Sequence, residues 1–176
     1  IMKQIERATW QDVEEISNLY DELNDYLATH TNHAGWLKGV YPTQETAQVG
    51  IQNQELFVLR MEGKIVGTMI LNHDQAEAYE EGRWRKVLKE EEVLVVHTLA
   101  IHPSYGGRGI ATSLLNFAKL YSAEQGIKAI RLDVAIRNTP AQVLYEKCGY
   151  QEVGIVDLGL GIPELVWFKL YELLLS

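Results

Sequence analysis

Residues 97–113 have the sequence His97-Thr-Leu-Ala-Ile-His-Pro-Ser-Tyr-Gly-Gly-Arg-Gly-Ile-Ala-Thr-Ser113. An apolar run, a proline and a cluster of glycines precede apolar residues spaced three to four apart, which predicts a strand, a tight turn and a helix. The first amides of a helix attract anions, and Gly107, Gly109 and Ala111 allow an anion close to the backbone beside Arg108. The stretch therefore favours an anion site, although a turn that merely requires glycine explains the same residues equally well.

Two common phosphate motifs do not match this stretch. A P-loop continues into Gly-Lys-Ser or Gly-Lys-Thr, and neither follows Gly109. The dinucleotide fingerprint has three glycines and lies in a parallel strand–helix–strand unit. Residues 107–111, Gly-Arg-Gly-Ile-Ala, lack the third glycine, and they follow predicted antiparallel hairpins. A nucleotide-binding protein that uses the glycines alone stays an alternative, and it predicts binding of ATP but not of CoA.

The residues on either side predict an alternation of strands and helices. Thr9 and Asp12 form a capping pair at the start of the first helix, and Glu62-Gly63 is typical of a two-residue hairpin turn. We expect strands at about residues 2–7, 55–61, 64–71, 93–101, 129–134, 151–157 and 164–171, and helices at 10–27, 43–52, 109–125 and 140–148. The buried face of the first helix is predicted to contain Trp10, Val13, Ile16, Leu19, Leu23 and Leu27. The order is β-α-α-β-β-β-α-β-α-β-β, and polar residues 72–92 predict a long connection.

Length and composition narrow the class of protein. One domain over residues 1–176 is expected, with no repeat or linker. The 24 Asp and Glu residues outnumber the 16 Lys and Arg residues, which argues against a nucleic-acid partner. The longest apolar run, residues 93–101, is too short to span a membrane, and the N-terminal residues predict an acidic helix rather than a secretory signal. A single cysteine, Cys148, excludes an internal disulfide and favours the cytoplasm.

Two segments resemble the motifs of the GNAT family of N-acetyltransferases. The family's acetyl-CoA motif is Arg or Gln, two residues, Gly, one residue, and Gly or Ala; Gly109 and Ala111 match it, while Gly106 replaces the Arg or Gln. The second family pattern, Asn-x-x-Ala-x-x-x-Tyr-Glu-Lys-x-Gly-Phe, is matched by Asn138, Ala141, Tyr145, Glu146, Lys147, Gly149 and, in place of Phe, Tyr150. The resemblance covers residues 55–168 and implies an α/β (α+β) fold, with a mixed, mostly antiparallel sheet of six or seven strands and helices on both faces.

The resemblance implies a cofactor, a reaction and a set of binding residues. By this resemblance, acetyl-CoA would donate its acetyl group directly to an amine in a ternary complex, and the pantetheine arm would lie between strands four and five. The arm would pair with the backbone of Leu99, Ala100 and Ile101, and Asn138 would contact it, although an Asn three residues before a helix is more often a cap. The pyrophosphate site would comprise Gly106, Gly107, Arg108, Gly109, Ile110, Ala111 and Thr112.

By the same resemblance, Tyr145 is the candidate general acid that protonates the departing thiolate. Because a phenol with a pKa of about 10 donates uphill to a thiolate with a pKa of about 8.5, we expect a modest contribution. A core aromatic contact is the alternative role. The base that accepts the proton of the amine has two sets of candidates. His97 is one, because one branch of the family has a histidine at this place; its alternative role is that of a core histidine. Glu92 or Glu91 is the other, and the alternative role of these residues is a solvated strand end. His30 and His33 lack a third ligand, so no metal is expected.

The net charge of −8 is unevenly distributed along the chain. Residues 102–150 carry six Lys and Arg residues against three acids, whereas the remainder carries ten against 21. This distribution favours an anionic cofactor and a cationic acceptor, either a small molecule or a peptide amine. A non-catalytic CoA-binding module on the same fold is the alternative function. The apolar residues 165–175 are compatible with a homodimer and equally with a buried last strand.

Overall fold

The computed structural model describes residues 2–175, and its strands and helices follow the predicted order. The strands are β1 (Lys3–Arg7), β2 (Leu56–Met61), β3 (Lys64–Asn72), β4 (Val93–Ile101), β5 (Ala129–Ala135), β6 (Gln151–Asp157) and β7 (Trp167–Leu174). The α-helices are α1 (Val13–Thr29), α2 (Gln44–Gln52), α3 (Ile110–Glu124) and α4 (Thr139–Lys147). Short 3-10 helices lie at Trp10–Asp12, Glu77–Glu81, Glu90–Glu92 and Pro103–Tyr105.

The strands of the described chain form one seven-stranded sheet in the order β1-β2-β3-β4-β5-β7-β6. The pairs β1–β2, β2–β3, β5–β7 and β6–β7 are antiparallel, and β4 runs parallel to β5. The predicted mixed, mostly antiparallel sheet is therefore confirmed. The register of β4 with β5 covers only residues 93–95 opposite residues 129–131, although both strands continue beyond these pairs.

The hairpin between β2 and β3 has the predicted two-residue turn. Glu62 has a φ of 52° and Gly63 a φ of 79°, and Met61 pairs with Lys64 on either side of them. Two consecutive residues with positive φ match the right-handed twist of the flanking strands. The Glu-Gly pair thus sets the register of the hairpin.

The last strand starts three residues later than the sequence pattern predicts. The amide of Leu165 donates to the carbonyl of Ile162 at 2.9 Å, so the residues after Pro163 form a turn before β7 begins at Trp167. β7 then pairs with β5 on one side and β6 on the other, and most of its side chains are buried. Burial within the sheet accounts for the apolar character of this stretch.

The chain divides into two compact units. The first unit comprises residues 2–32, 36–71 and 97–117, and the second comprises residues 33–35, 72–96 and 118–175. In the first unit, Leu56 and Val58 of β2 pack with buried residues of α1 and α2. Phe57 points to the opposite face, where its ring lies 5.1 Å from that of Phe117 in α3. Helices therefore cover both faces of this part of the sheet, as predicted.

The prediction that Trp10 belongs to the buried face of the first helix is wrong. Its side chain is 59% exposed, whereas Ile16, Leu19 and Tyr20 are buried against the sheet. Trp10 lies in the 3-10 helix that precedes α1, where the rotation per residue differs from that of an α-helix. The helical spacing of apolar residues therefore does not extend back to this position.

A buried ion-pair cluster organises the second unit. Glu172 of β7 is fully buried; its carboxylate accepts from Arg131 Nε at 3.3 Å and from Arg85 Nε at 3.1 Å. The Arg131 guanidinium also lies 4.1 Å from the ring centre of Trp84 and donates to Gln75 Oε1 at 2.9 Å. The connection formed by residues 72–92 is therefore held on β5 and β7 by charge as well as by apolar contacts.

Replacing Glu172 by Gln tests this anchoring. Loss of the carboxylate leaves the buried Arg131 without its counter-charge, so we expect the free energy of unfolding to fall by about 3 kcal/mol or more. Urea denaturation measures this change. Glu152→Gln is the matched control, because Glu152 pairs with Lys169 on a more exposed surface, and it should change the free energy of unfolding by about 1 kcal/mol at most. Equal effects of the two substitutions would contradict the role of Glu172.

Candidate functional site

The glycine turn, residues 106–109, requires glycine at two of its positions. Gly107 has a φ of 76° and Gly109 a φ of 72°, in the left-handed region that side chains with a Cβ rarely adopt. A Cβ on Gly107 would meet no atom within 4 Å, so the requirement there is conformational rather than steric. The two glycines turn the chain from the 3-10 helix Pro103–Tyr105, which follows β4, into the first turn of α3.

The first turn of α3 provides amides that have no acceptor within the helix. The amide of Ser113 donates to the carbonyl of Gly109 at 3.0 Å, which places the amides of Ile110, Ala111 and Thr112 before this first helical hydrogen bond. Ile110 is buried against the sheet, whereas Thr112 is exposed. The buried Ile110 anchors the turn while the backbone beside it stays accessible to an anion.

Three cationic side chains lie at this turn, and only one of them, Arg108, was predicted. Lys3 Nζ donates to the carbonyl of Arg108 at 3.1 Å and to Ser113 Oγ at 3.3 Å. Arg108 and Lys64 lie 5.1 Å and 5.4 Å from the ring centre of Tyr105. Lys3 and Lys64 are distant in sequence and come to the turn only through the packing of the first unit, so no local pattern could have identified them. Together the cations and the free amides make the turn electropositive.

Gly106, which replaces the family's Arg or Gln, has an ordinary backbone conformation. Its φ is −61°, and a Cβ built on it would come no closer than 3.8 Å to another atom, the carbonyl oxygen of Pro103. Neither strain nor crowding requires glycine here. A residue with a Cβ is therefore tolerated at this position.

The strand β4 contains an irregularity next to the predicted cofactor residues. Thr98 has a φ of 49°, and the register with β5 has ended by then, at Val95. Ala100 is buried, whereas Leu99 and Ile101 are half-buried. The backbone of these three residues therefore continues past the last residue pair that β4 forms with β5.

Two of the three predicted candidates for the base, His97 and Glu92, have different surroundings. His97 is half-buried in β4 and belongs to the first unit. Glu92 belongs to the second unit, where its Oε1 accepts from the amide of Lys89 at 2.9 Å and its carbonyl accepts from the amide of Lys128 at 2.8 Å. The carboxylate of Glu92 thus caps the 3-10 helix that leads into β4. Its role as a base stays a prediction.

Asn138 occupies the capping position that the alternative interpretation predicts. Its Oδ1 accepts from the amide of Ala141 at 3.3 Å at the start of α4, and Pro140 lies in the first turn. Its contact with the cofactor stays a prediction.

Tyr145 lies in an aromatic cluster of the second unit. Its side chain is 8% exposed, and the ring centres of Tyr150 and Tyr171 lie 6.0 Å and 6.1 Å away. Burial, the Asp133 carboxylate and the Cys148 thiol raise the pKa of Tyr145 above its ordinary value. The phenol is therefore protonated at neutral pH and is a weaker acid than a tyrosine in water.

Asp133 is a carboxylate of this cluster that the sequence analysis missed. It is half-buried on β5, and its Oδ2 accepts from the hydroxyl of Tyr79 at 2.6 Å. Burial and this carboxylate raise the pKa of Tyr79. In the sequence, Asp133 is one polar residue within a strand pattern, and this pattern indicates only a strand. Its pairing with Tyr79 depends on the fold of residues 72–92, which the sequence pattern does not predict.

Residues 102–150 have fewer cations available to an anionic ligand than the count of charges indicates. Arg131, one of the six cations, forms an ion pair with the buried Glu172. Arg108, in contrast, is exposed at the glycine turn. Of these two cations, only Arg108 is available to an anion at the turn.

Within residues 2–175, no helix has the length and composition needed to cross a bilayer, and no cluster of three His, Cys, Asp or Glu residues forms a metal site.

Comparisons with known proteins agree with this geometry. The model of the acetyltransferase (GNAT) family matches residues 10–150. An uncharacterized N-acetyltransferase of Methanocaldococcus jannaschii is 26% identical over 143 residues, which cover 77% of this chain but 59% of that protein. The chain thus spans less than two thirds of this relative's length.

Solved structures show the same fold. A GNAT acetyltransferase from Streptococcus agalactiae superposes with a TM-score of 0.79 at 23% identity, covering 99% of this chain and 96% of that chain. A Salmonella typhimurium protein, solved with its cofactor acetyl-CoA, has a TM-score of 0.71 at 15% identity and covers 100% of this chain and 95% of that chain. Acetyl-CoA is the co-substrate of the family. Because the family model matches well over half of its residues, the chain belongs to the GNAT family of acetyltransferases.

Proposed function

We propose that this protein transfers the acetyl group of acetyl-CoA to a primary amine by direct attack in a ternary complex. The observation that carries the proposal is the glycine turn at the N-terminus of α3, with its free amides and with Lys3, Lys64 and Arg108 beside it. This cationic turn fits the pyrophosphate of acetyl-CoA, and the family to which the chain belongs uses that cofactor.

The backbone and one side chain would make the remaining contacts with the cofactor. The amides of residues 107–112 would bind the pyrophosphate, and the backbone of residues 99–101 would pair with the pantetheine arm. That backbone lies beyond the last residue pair of β4 with β5, which supports its use by a ligand. Asn138 would contact the arm in addition to capping α4.

The acceptor must lose a proton before it can attack the thioester. An alkylamine with a pKa of about 10.4 is protonated at pH 7, and its deprotonation costs about 4.6 kcal/mol. We assign the proton to His97, because a neutral imidazole accepts protons, whereas Oε1 of the Glu92 carboxylate is used as a cap that accepts from the amide of Lys89. Asp133 offers a carboxylate that would hold a cationic acceptor, either a small amine or a peptide.

Tyr145 would act on the departing thiolate as a hydrogen-bond donor rather than as a strong acid. The raised pKa of Tyr145 makes full proton transfer to sulfur less favourable than from an ordinary tyrosine. Its contribution should therefore lie near the lower end of the usual range for general acids. This raised pKa, together with Gly106, also favours the alternative function, a CoA-binding module without catalysis.

The substitution Tyr145→Phe distinguishes an enzyme from a module. We expect the wild-type protein to release free thiol from acetyl-CoA with at least one member of a panel of primary amines. Tyr145→Phe should slow this release between severalfold and roughly 10²-fold, with the Kd of acetyl-CoA unchanged, because the phenol acts only on the leaving group. Binding of acetyl-CoA without thiol release across the whole panel would establish the module instead.

The substitution Gly106→Arg restores the family's usual side chain. An added cation beside the pyrophosphate should lower the Kd of acetyl-CoA severalfold, because the backbone at this position accepts a Cβ without strain or crowding. Isothermal titration calorimetry measures this constant. Gly106→Ala is the control and should leave the Kd nearly unchanged. An unaltered Kd in Gly106→Arg would argue that the pyrophosphate binds elsewhere.

The substitution His97→Gln tests the base. His97→Gln should lower kcat/KM at pH 7 by roughly 10²-fold, because a glutamine side chain cannot take up the proton of the amine. Glu92→Gln is the control and should leave kcat/KM nearly unchanged. An unchanged kcat/KM in His97→Gln, or an equal loss in both variants, would assign the proton to another group or to water.

A further inference from the structure

Thr98 adopts a backbone conformation that its side chain disfavours. Its φ of 49° lies in the left-handed region, where a β-branched residue in the middle of a strand is a clear outlier. The side chain is buried. Such a conformation persists only where surrounding contacts hold it, and it immediately precedes residues 99–101, which we propose to pair with the cofactor.

A hydrogen bond from a distant segment holds Thr98 in place. The hydroxyl of Tyr41 bonds to Thr98 Oγ1, although the two residues are 57 positions apart in the chain. Tyr41 lies in the segment between α1 and α2, and both residues belong to the first unit. The bond therefore ties this segment to the irregular position of β4.

Three further contacts fix Tyr41. Asn24, which is buried on α1, donates from Nδ2 to the carbonyl of Tyr41 at 3.1 Å. The ring of Trp36 packs edge-on against the Tyr41 ring with 5.8 Å between centres. The amide of Tyr41 also donates to the carbonyl of Leu37 at 3.0 Å, closing a turn. The hydroxyl is thus presented to Thr98 by a side chain with a defined orientation.

We propose that Tyr41 is a positioning residue for acetyl-CoA, whose hydroxyl holds Thr98 in the left-handed conformation and thereby directs the backbone of residues 99–101 toward the pantetheine arm. This inference rests on the proposed function. The arm gains its hydrogen bonds from backbone groups, so their direction depends on the dihedral angles of the residue before them. Loss of the tyrosine hydroxyl should weaken cofactor binding although Tyr41 forms no bond with the reacting atoms.

The first test compares Tyr41→Phe with the wild-type protein. We expect the Kd and the KM of acetyl-CoA to rise roughly fivefold to tenfold, the effect of one lost hydrogen bond, with kcat at saturating acetyl-CoA changed less than twofold. Assays are run well below the melting temperature, so a purely structural role leaves the Kd of the folded protein unchanged. Tyr26→Phe, on the exposed side of α1, is the control and should alter neither constant.

The second test uses the partner of the bond. Thr98→Ser keeps the hydroxyl and should bind acetyl-CoA nearly as the wild-type protein does. In Thr98→Gly, which removes the hydroxyl and tolerates positive φ, the additional change Tyr41→Phe should have no further effect on the Kd. If Tyr41→Phe does not fold, Thr98→Ala removes the same bond and should raise the Kd similarly.

The outcomes separate this inference from the proposed function. A wild-type protein that does not bind acetyl-CoA overturns both. If the wild-type protein binds acetyl-CoA normally, either of two results overturns the positioning role alone. One is an unchanged Kd in Tyr41→Phe. The other is a loss of affinity on adding Tyr41→Phe to Thr98→Gly that equals the loss in the wild-type background.

Discussion

The amides at the start of α3 have no acceptor within the helix, and the surrounding structure keeps them accessible to a ligand. Gly107 and Gly109 bend the chain between the 3-10 helix Pro103–Tyr105 and α3, and the buried Ile110 fixes the helix to the sheet. β1 and β3 contribute Lys3 and Lys64 to the same place. An acidic protein thereby concentrates positive charge at one turn, which is what a polyanionic cofactor requires.

Proton transfer, rather than binding, sets the chemical demands on the remaining residues. In the proposed reaction the acceptor amine must be neutral, and the thiolate must be stabilised as it leaves. We propose that these two tasks fall to different groups: the imidazole of His97 and a buried phenol, Tyr145, whose pKa is raised by burial and by Asp133. A phenol in these surroundings stabilises sulfur by hydrogen bonding more than by donating its proton. Catalysis in such a site depends mainly on the orientation of the thioester and the amine.

Local sequence patterns predicted the order of the elements, the hairpin at Glu62-Gly63 and the helix that follows the glycine turn, because each depends on residues close together in the chain. The predictions that were wrong concern residues at the ends of elements, where the regular spacing of apolar residues stops. Trp10 precedes the α-helix, and the start of β7 is displaced by the turn after Pro163. The contributions of Lys3, Asp133 and Tyr41 depend on partners 54 or more residues away, and no spacing in the sequence records such contacts. Family resemblance predicted the cofactor, whereas the structure identified Lys3 and Lys64, which we propose to lie beside its pyrophosphate.

The most direct test of the central claim is a thermal-shift titration with CoA, pantetheine and ATP. A ligand that binds only the folded state raises the melting temperature by mass action. If the turn at the start of α3 holds the pyrophosphate while β4 holds the arm, CoA should raise the melting temperature clearly, pantetheine should do so much less, and ATP should have little effect. The absence of a shift with millimolar CoA, or an equal shift with ATP, would contradict the account.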